Sequence, residues 1–326
     1  MATLVTGSSG YIGQHVILEL LDRGEDPIGL DWHDKPDFNI KYISYVGDIN
    51  DRIALRHIFK DHRIDTVMHL AAVANVPDSV INPMFYYDDN VARTIILLDE
   101  MIKSGVKNII FSSSAAIFGD SEEQPIHEYV TSSPTTPYGK TKLFIEEILT
   151  DLHLAGKLNF VSLRYFCAAG ADSKLRAGED FNKTSHVIPM LINRAYDGGI
   201  FEIYGDDHNT LDGSCIRDFI HVSDIACAHI AAKQYLEELS GLSLVKNIGS
   251  GVGYSIKQLL KLTQDVIGRN ILSQVVESRV GDPAVLVADS CEELPGYSPK
   301  YTVEDMIKST WEWKIKYDHL TNTTEN

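Results

Sequence analysis

Val5-Thr6-Gly7-Ser8-Ser9-Gly10-Tyr11-Ile12-Gly13 is a stretch near the start of the chain in which three regularly spaced glycines follow a short apolar run. A glycine-rich turn between a strand and a helix lets the backbone approach a pyrophosphate, and the first N–H groups of the helix then point at its charge. An isolated turn of this kind is often only a turn. Because it directly follows the first predicted strand, we expect a dinucleotide to contact Gly7, Gly10, Tyr11, Ile12 and Gly13.

Around this turn, the first half of the chain alternates short apolar runs with longer amphipathic segments. This alternation is typical of a parallel sheet covered by helices on both faces, and right-handed crossovers then give a doubly wound α/β fold. The predicted strands are residues 3–6, 27–31, 42–47, 66–70, 108–112 and 160–164. The predicted helices are residues 11–23, 51–61, 80–104 and 138–154.

The pattern loosens after Phe166 into loops and short helical segments, which indicates a smaller α/β domain. Residues 219–232 and 245–248 again resemble a buried helix and a buried strand. We therefore predict a dinucleotide-binding domain of residues 1–166 plus about 219–248. The interleaved substrate domain would comprise residues 167–218 and 249–326.

Asp31 closes the second predicted strand, where an acidic side chain accepts hydrogen bonds from the adenosine ribose of a dinucleotide. Its neighbours Trp32 and His33 supply no arginine for an additional 2′-phosphate. The sequence therefore favours NAD over NADP.

Further candidate cofactor contacts follow the third and fourth predicted strands. Each is weak evidence alone, but all lie at the carboxyl edge of the predicted sheet, where doubly wound folds bind ligands. These residues are Asp48, Ile49, Leu70, Ala71 and Ala72.

A second constellation carries catalytic chemistry. Tyr138 and Lys142 lie one helical turn apart after Pro137, and a serine cluster ending in Ser114 closes the preceding strand. A phenol is a poor base at neutral pH, but a nearby ammonium and a positively charged nicotinamide favour the phenolate. We assign Tyr138 as proton acceptor, Lys142 as the group that lowers its pKa and binds the nicotinamide ribose, and Ser114 as a substrate ligand.

The overall composition limits the possible functions. The chain has 326 residues, 44% of them hydrophobic, and a net charge of −17 without charge blocks. These features favour a folded protein and disfavour a nucleic-acid binder. We expect no membrane span, no metal site and a cytoplasmic location. The cysteines lack metal-ligand spacing and are interpreted as free thiols: Cys167, Cys215, Cys227 and Cys291.

Along essentially its whole length the chain resembles UDP-glucose (UDP-galactose) 4-epimerases, which belong to the extended short-chain dehydrogenase/reductase type with a Rossmann-type sheet. The resemblance rests on the glycine-rich stretch and on Tyr86-Tyr87-Asp88-Asp89-Asn90-Val91, Ile110-Phe111-Ser112-Ser113-Ser114-Ala115, Pro137-Tyr138-Gly139-Lys140, Leu163-Arg164-Tyr165-Phe166, Ile216-Arg217-Asp218-Phe219-Ile220-His221-Val222 and Asn247-Ile248-Gly249-Ser250-Gly251.

The resemblance implies that a tightly held NAD removes hydride from C4 of a UDP-hexose while the tyrosine takes the O4 proton. The 4-keto sugar then turns over and receives hydride on its other face. It also implies a homodimer, formed through the helices of residues 80–104 and those beginning at Tyr138.

By the same matching, Asn90 and Tyr165 lie along the cofactor. The implied substrate contacts are Arg217 and Arg279 on the diphosphate, Tyr204 near the uracil, and His186 and Asp282 elsewhere near the substrate. Bidentate arginines suit phosphate oxygens chemically. A surface salt bridge is the alternative role for each arginine.

Two positions depart from the family pattern. Cys167 stands where the family has asparagine, and a thiol is the poorer hydrogen-bond partner for a substrate. Leu286 occupies the position associated with sugar-pocket size, and its small side chain would also admit N-acetylated hexoses.

Other functions remain open on this fold. Sugar dehydratases place an acidic pair, and decarboxylases a glutamate, where this chain has Ala115 and Ala116. A non-catalytic NAD-sensing protein is a further alternative, although it would have no need of Tyr138, Lys142 and Ser114 together.

Overall fold

The computed structural model describes residues 2–34, 41–239, 241–279, 281–289 and 294–324. Its strands are β1 (Ala2–Thr6), β2 (Ile28–Asp31), β3 (Ile43–Val46), β4 (Ile64–His69), β5 (Asn108–Ser114), β6 (Asn159–Tyr165), β7 (Cys167–Ala169), β8 (Ile200–Tyr204), β9 (Ile216–His221), β10 (Leu244–Ile248), β11 (Gly253–Ser255), β12 (Leu272–Val276) and β13 (Val285–Leu286).

The helices are α1 (Tyr11–Asp22), α2 (Arg52–His62), α3 (Val76–Ile81), α4 (Pro83–Tyr86), α5 (Arg93–Ser104), α6 (Pro137–Leu154), α7 (Val187–Asp197), α8 (Val222–Glu238), α9 (Ile256–Ile267) and α10 (Val303–Thr324). A π-helical turn, Tyr87–Ala92, joins α4 to α5, and a 3₁₀ turn, Ala115–Ile117, follows β5. Within the described ranges, no helix combines the length and apolar character that crossing a bilayer requires.

Seven parallel strands form the main sheet in the order β10-β6-β5-β4-β1-β2-β3. The strand order reverses between β1 and β4, and the carboxyl ends of these strands therefore border a crevice suited to a ligand. Apolar side chains of α1 and α8 cover one face of the sheet, and those of α2, α5 and α6 cover the other. The expected doubly wound α/β fold is confirmed.

The remaining strands form two small sheets. In one, β9 pairs with β7, β11 and β13; in the other, β8 pairs with β12. Helices α7, α9 and α10 pack over a third apolar core that includes Phe201, Phe219 and Trp313. The predicted boundary before residue 219 falls inside β9.

Two predicted helices differ from the structure. The predicted helix of residues 80–104 is divided, because Asn82 leaves helical geometry and Pro83 begins a new helix, where its missing N–H costs little. The predicted helix of residues 219–232 begins only at Val222, because Phe219 to His221 belong to β9. Short apolar runs do not distinguish a buried strand from a buried helix.

Of the predicted free thiols, Cys167, Cys215 and Cys227 are confirmed as unbridged. Cys291 lies outside the described residues.

Candidate functional site

The glycine-rich turn joins β1 to α1 by close backbone packing. Gly7 has φ +70°, and a Cβ there would come within 2.7 Å of the backbone nitrogen of Ala71. A Cβ on Gly13 would lie 2.0 Å from the carbonyl oxygen of Gly7. Gly10 caps α1 without a side-chain hydrogen bond, so no side chain covers this helix start from its cap position. The turn is thus shaped for backbone contact with an anion.

Asp31 lies at the end of β2 beside this turn. Its carboxylate oxygens accept hydrogen bonds from the backbone N–H groups of Ser9 (2.9 Å) and His33 (3.0 Å). The side chain is buried and lines the crevice. These bonds fix the carboxylate, whose remaining lone pairs can accept hydrogen bonds from two neighbouring hydroxyls.

The crevice is a cavity of about 660 Å³. Nine of the predicted cofactor residues line it: Gly7, Gly10, Tyr11, Asp31, Asp48, Ile49, Leu70, Ala71 and Ala72. Its opposite wall comes from the second half of the chain and includes Glu179, Lys183 and Trp313, which the sequence patterns did not indicate. The Trp313 indole donates a hydrogen bond to the Glu179 carbonyl (2.9 Å), which ties α10 to this wall.

Two predicted cofactor residues have other partners. Asn90 accepts from the backbone N–H of Val73 (2.9 Å) and donates to the hydroxyl of Thr141 (3.1 Å), so it joins the loop after β4 to α6. The hydroxyl of Tyr165 bonds to the ring of buried His229 (2.7 Å). In this structure both side chains brace the residues around the site.

Arg93 is a cavity residue that sequence reasoning missed. Its guanidinium pairs with Asp48, and with Asp89 at 3.2 Å and Asp88 at 3.3 Å. A sequence signal was present, because Asp88 and Asp89 lie in a stretch that carried the family resemblance and Arg93 follows two residues after its end. Only the fold reveals that α5 brings this arginine to the end of β3.

Tyr138 is placed by the start of α6. Thr136 caps the helix by accepting from the N–H of Gly139 (3.3 Å). A Cβ on Gly139 would lie 2.4 Å from the carbonyl oxygen of Ala116, so glycine allows the helix to approach the turn after β5. Ser114 is at that turn, and its hydroxyl accepts from the N–H of Ala116 (3.2 Å). Tyr138 and Ser114 are thereby brought together.

Lys142 is buried one turn further along α6. Its ammonium donates to the carbonyl of Ser112 (2.7 Å) and lies 5.7 Å from the centre of the Tyr138 ring. Burial lowers the pKa of Lys142 to about 8, and the charge of Glu146 opposes this change. Burial raises the pKa of Tyr138, and the Ser114 hydroxyl opposes that rise. A phenolate therefore needs positive charge close by.

Glu146 and Arg164 form a buried ion pair behind Lys142. The guanidinium donates to the Glu146 carboxylate at 2.6 Å and to the Glu128 carbonyl at 2.8 Å. Sequence reasoning left Arg164 without a role. The four-residue spacing of Lys142 and Glu146 on one helix was the sequence feature that could have indicated a carboxylate beside the lysine.

Four of the predicted substrate residues, Arg217, Asp282, Arg279 and Tyr204, form a second group. The Arg217 guanidinium, on β9, pairs with Asp282 and donates to the carbonyl of Pro283 (2.7 Å). The Arg279 guanidinium lies 3.7 Å from the centre of the Tyr204 ring. Both arginines therefore contact other residues that were predicted to bind the substrate.

The segment that carries Asp282 also reaches the start of α6, the helix of Tyr138. The hydroxyl of Thr135, just before α6, donates to the carbonyl of Gly281 (3.5 Å). Leu286 is half-buried against an apolar cluster that contains Ala115 and Phe166. This wall of the substrate group is thus next to the end of β5.

Cys167 and His186 lie at different places. Cys167 pairs with Phe219 of β9, and burial raises the pKa of its thiol to about 12, although the Arg217 charge opposes the rise. The partners of His186 are on the cofactor cavity wall: its ring bonds to Glu179 (2.9 Å) and lies 6.0 Å from the ring of Tyr11. Burial opposes protonation of His186, but Glu179 raises its pKa overall.

A parallel sheet with a glycine-rich turn, an anchored aspartate and a buried Tyr–Lys pair defines a dinucleotide-dependent enzyme of the short-chain dehydrogenase/reductase class. Comparison with known families narrows this class, because residues 3–249 match the model of the NAD dependent epimerase/dehydratase family. The chain belongs to this family.

Individual relatives agree over nearly the full chain. A protein named UDP-glucose 4-epimerase from Halalkalibacterium halodurans is 43% identical, and the match covers 98% of this chain and 97% of the relative. A UDP-glucose-4-epimerase from Stenotrophomonas maltophila, solved with NAD and formylated UDP-arabinopyranose, has a TM-score of 0.93 at 33% identity, covering 98% and 99% of the two chains. A Bifidobacterium longum UDP-glucose 4-epimerase, solved with NAD+ and UDP, has a TM-score of 0.91 at 35% identity, covering 97% and 98%. The family resemblance expected from the sequence is confirmed.

Proposed function

We propose that this protein is an isomerase, an NAD-dependent UDP-hexose 4-epimerase that interconverts UDP-galactose and UDP-glucose. The name of each relative cited above agrees with the function expected from the sequence. The observation that carries the proposal is the placement of Tyr138 against Ser114 at the carboxyl end of β5, with Lys142 buried one turn further along α6. The dinucleotide cavity lies at the carboxyl ends of other strands of the same parallel sheet.

The cavity fits NAD by the shape and chemistry of its own residues. Gly7 and Gly13 leave no room for side chains where a pyrophosphate would approach, and the start of α1 offers N–H groups to its charge. Asp31 suits the adenosine ribose hydroxyls. We assign the remaining cofactor contacts as expected from the sequence. Asn90 and Tyr165 would lie along the cofactor, in addition to the hydrogen bonds by which they brace neighbouring residues.

Bound NAD supplies a hydride acceptor and donor for C4 of the hexose. Tyr138 would take the O4 proton when the hexose is oxidised at C4, and would return it when the 4-keto sugar is reduced on its other face. Lys142 holds positive charge beneath the phenol, against the effect of burial on both groups. Ser114 presents its hydroxyl to the substrate oxygen.

Arg217 and Arg279 would bind the UDP diphosphate, with Tyr204 near the uracil and Asp282 near the substrate. In this structure Arg217 pairs with Asp282, and Arg279 lies over the Tyr204 ring. We infer that, when the substrate binds, its diphosphate and uracil replace these contacts within the protein. His186 would lie near the substrate, on the wall of the cofactor cavity that contains Glu179. Cys167 and Leu286 leave the sugar pocket with a thiol and a small apolar side chain, and N-acetylated hexoses are therefore the next substrates to test.

We propose that the domains divide as expected from the sequence. The cofactor domain would comprise residues 1–166 plus about 219–248, and the substrate domain residues 167–218 and 249–326. Support comes from β10, which joins the main sheet, and from β7, β11 and β13, which do not.

We propose that two copies of the chain associate through α3, α4, α5 and α6. These helices expose large apolar side chains, which a second copy would cover: Val80, Ile81, Met84, Phe85, Ile95 and Phe144. Light scattering should give a dimer mass, and Met84→Glu should give a monomer. Leu211→Glu, at a fully exposed position elsewhere, is the control.

We propose a cytoplasmic location. The unbridged thiols of Cys167, Cys215 and Cys227 are consistent with a reducing compartment.

The direct test of the function is incubation of the purified protein with UDP-galactose, first without and then with added NAD. Formation of UDP-glucose, lost in Tyr138→Phe, is the expected result. A wild-type protein that forms no UDP-glucose even with NAD would contradict the proposal.

A further inference from the structure

Arg93 reaches the adenosine end of the cavity from a distant part of the sequence. It begins α5, yet it lines the same cavity as Asp31, and its guanidinium carbon lies 5.9 Å from the centre of the Trp32 ring. The sequence favoured NAD because no arginine flanks Asp31. The fold nevertheless supplies one from another helix.

This guanidinium is already paired with carboxylates. Asp48 is the closest, and the contacts to Asp89 (3.2 Å) and Asp88 (3.3 Å) are longer. Asp48 is held next to Asp31 by the sheet, because β3 follows β2 and the N–H of Gly47 donates to the carbonyl of Asp31 (2.8 Å). Asp31, Asp48 and Arg93 therefore form one cluster at this end of the cavity.

We propose that Asp48 is a second cofactor-selectivity residue, which acts by holding Arg93 in an ion pair and so withholding its guanidinium from a 2′-phosphate. The inference rests on the proposed function, because it assumes that this cavity binds NAD. Asp31 excludes the phosphate directly, and Asp48 excludes it through Arg93.

The charges in the cluster explain why both carboxylates matter. A phosphomonoester brings about −1.5 to −2 charges, which two neighbouring carboxylates repel. A guanidinium matches a phosphate with two parallel hydrogen bonds, but only when a carboxylate does not already occupy it. Removal of Asp31 alone leaves Arg93 paired and Asp48 charged. Removal of both carboxylates takes away the closest partner of the guanidinium and leaves it only the longer contacts to Asp89 and Asp88, which a phosphate beside the ribose can displace.

Lys183 provides a control for a general charge effect. Among the described residues, Arg93 and Lys183 are the lysine or arginine side chains that line the cavity. Lys183 belongs to the opposite wall, is 81% exposed, and contacts Asp180 at 3.8 Å. The proposal therefore assigns no 2′-phosphate contact to Lys183.

The experiment measures the dissociation constants of NAD and NADP by calorimetry on protein freed of nucleotide. The readout is the ratio of the two constants, because both cofactors share every contact except the 2′-phosphate. We expect Asp31→Ser to weaken NAD binding. Adding Asp48→Asn should then lower the dissociation constant of NADP relative to that of NAD by about tenfold or more, as expected for a bidentate charged contact. Adding Arg93→Met should abolish this gain, whereas adding Lys183→Met should preserve it.

An unchanged ratio after Asp48→Asn, or a gain that survives Arg93→Met, would overturn the proposal. Asparagine keeps an oxygen for the N–H of Asn50, which Asp48 accepts at 2.9 Å, so the loop retains its bond. If the double variant folds poorly, Asp48→Asn alone is the second variant. It should lower the dissociation constant of NADP relative to that of NAD by a smaller factor. The test is independent of turnover, since a wild-type protein that binds NAD but does not convert UDP-galactose fails the proposed function only.

Discussion

The ammonium of Lys142 donates a hydrogen bond to the backbone carbonyl of Ser112, over 2.7 Å, and this bond ties α6 to β5 beside Tyr138. The lysine is buried, so its charge acts on Tyr138 with little screening by solvent.

We expect Lys142→Met to lower kcat by about 100-fold or more, in the range of general acid–base contributions. The reason is the loss of the positive charge that favours the phenolate. Steady-state kinetics with UDP-galactose measures the effect, and thermal unfolding checks that the variant is folded. Lys140→Met, at an exposed position on the same helix, is the matched control. Equal kcat values for the two variants would contradict this role.

The charge of Glu146 is expected to set the alkaline limit of activity. Burial lowers the pKa of Lys142 to about 8, and Glu146 keeps it from falling further. Without this carboxylate, the ammonium loses its proton at a lower pH. In Glu146→Gln the alkaline fall of kcat should therefore move to lower pH.

The control for this shift is Glu147→Gln, an exposed neighbour on α6. Glutamine at position 146 can still accept a hydrogen bond from Arg164, which limits the structural cost. An alkaline limit that is identical in the Glu146→Gln variant and the wild type would refute the role of Glu146.

Tyr11 is expected to stabilise the contact between the glycine-rich turn and the second half of the chain. Its hydroxyl donates to the carbonyl of Gly170 (2.6 Å). Tyr11→Phe leaves this carbonyl without the bond, which should cost about 1–3 kcal/mol of unfolding free energy. Urea denaturation measures the loss. Tyr129→Phe, at a position 83% exposed, should change the free energy little; an equal loss in both variants would contradict the prediction.

His229 should make the fold sensitive to acid. Burial lowers its pKa to about 4, and its ring bonds to the Ile225 carbonyl (2.9 Å) and the Tyr165 hydroxyl (2.7 Å). The unfolded chain, with an ordinary histidine pKa near 6.5, takes up the proton first as the pH falls. Stability is therefore lost between about pH 6.5 and 4, by up to about 3 kcal/mol from this group.

The measurement is the unfolding free energy as a function of pH, compared with that of His229→Gln. The variant should show a shallower fall in this range. His57→Gln, at an exposed position, controls for the number of histidines. A slope that His229→Gln leaves unchanged would exclude this group as a source of the acid sensitivity.

Local patterns predicted the main sheet because most of its strands, β1, β2, β4, β5 and β6, are largely buried and appear in the sequence as continuous apolar runs. They also predicted the turn at Gly7 and the pairing of Tyr138 with Lys142, since both depend on short sequence spacings. The division at Pro83 could have been anticipated, because proline ends or begins a helix.

Contacts between distant elements could not be predicted in this way. Arg93 lies far from Asp31 and Asp48 in the chain, and only the adjacency of α5 to the ends of β2 and β3 brings them together. The ion pair of Glu146 with Arg164 is of the same kind. His186 was expected from the family near the substrate, whereas its partners here lie on the cofactor wall, a relation set by how the two halves pack.

The most direct test of the central claim is conversion of UDP-galactose labelled with deuterium at C4, in ordinary water, by the purified protein with NAD. Hydride transfer at C4, with Tyr138 handling only the O4 proton, requires UDP-glucose that keeps deuterium at C4. Mass spectrometry and NMR should find the label retained. Tyr138→Phe should form no detectable product in the time that the wild-type protein needs for conversion. Product that has lost deuterium to water, or no product at all, would contradict the proposed epimerase chemistry.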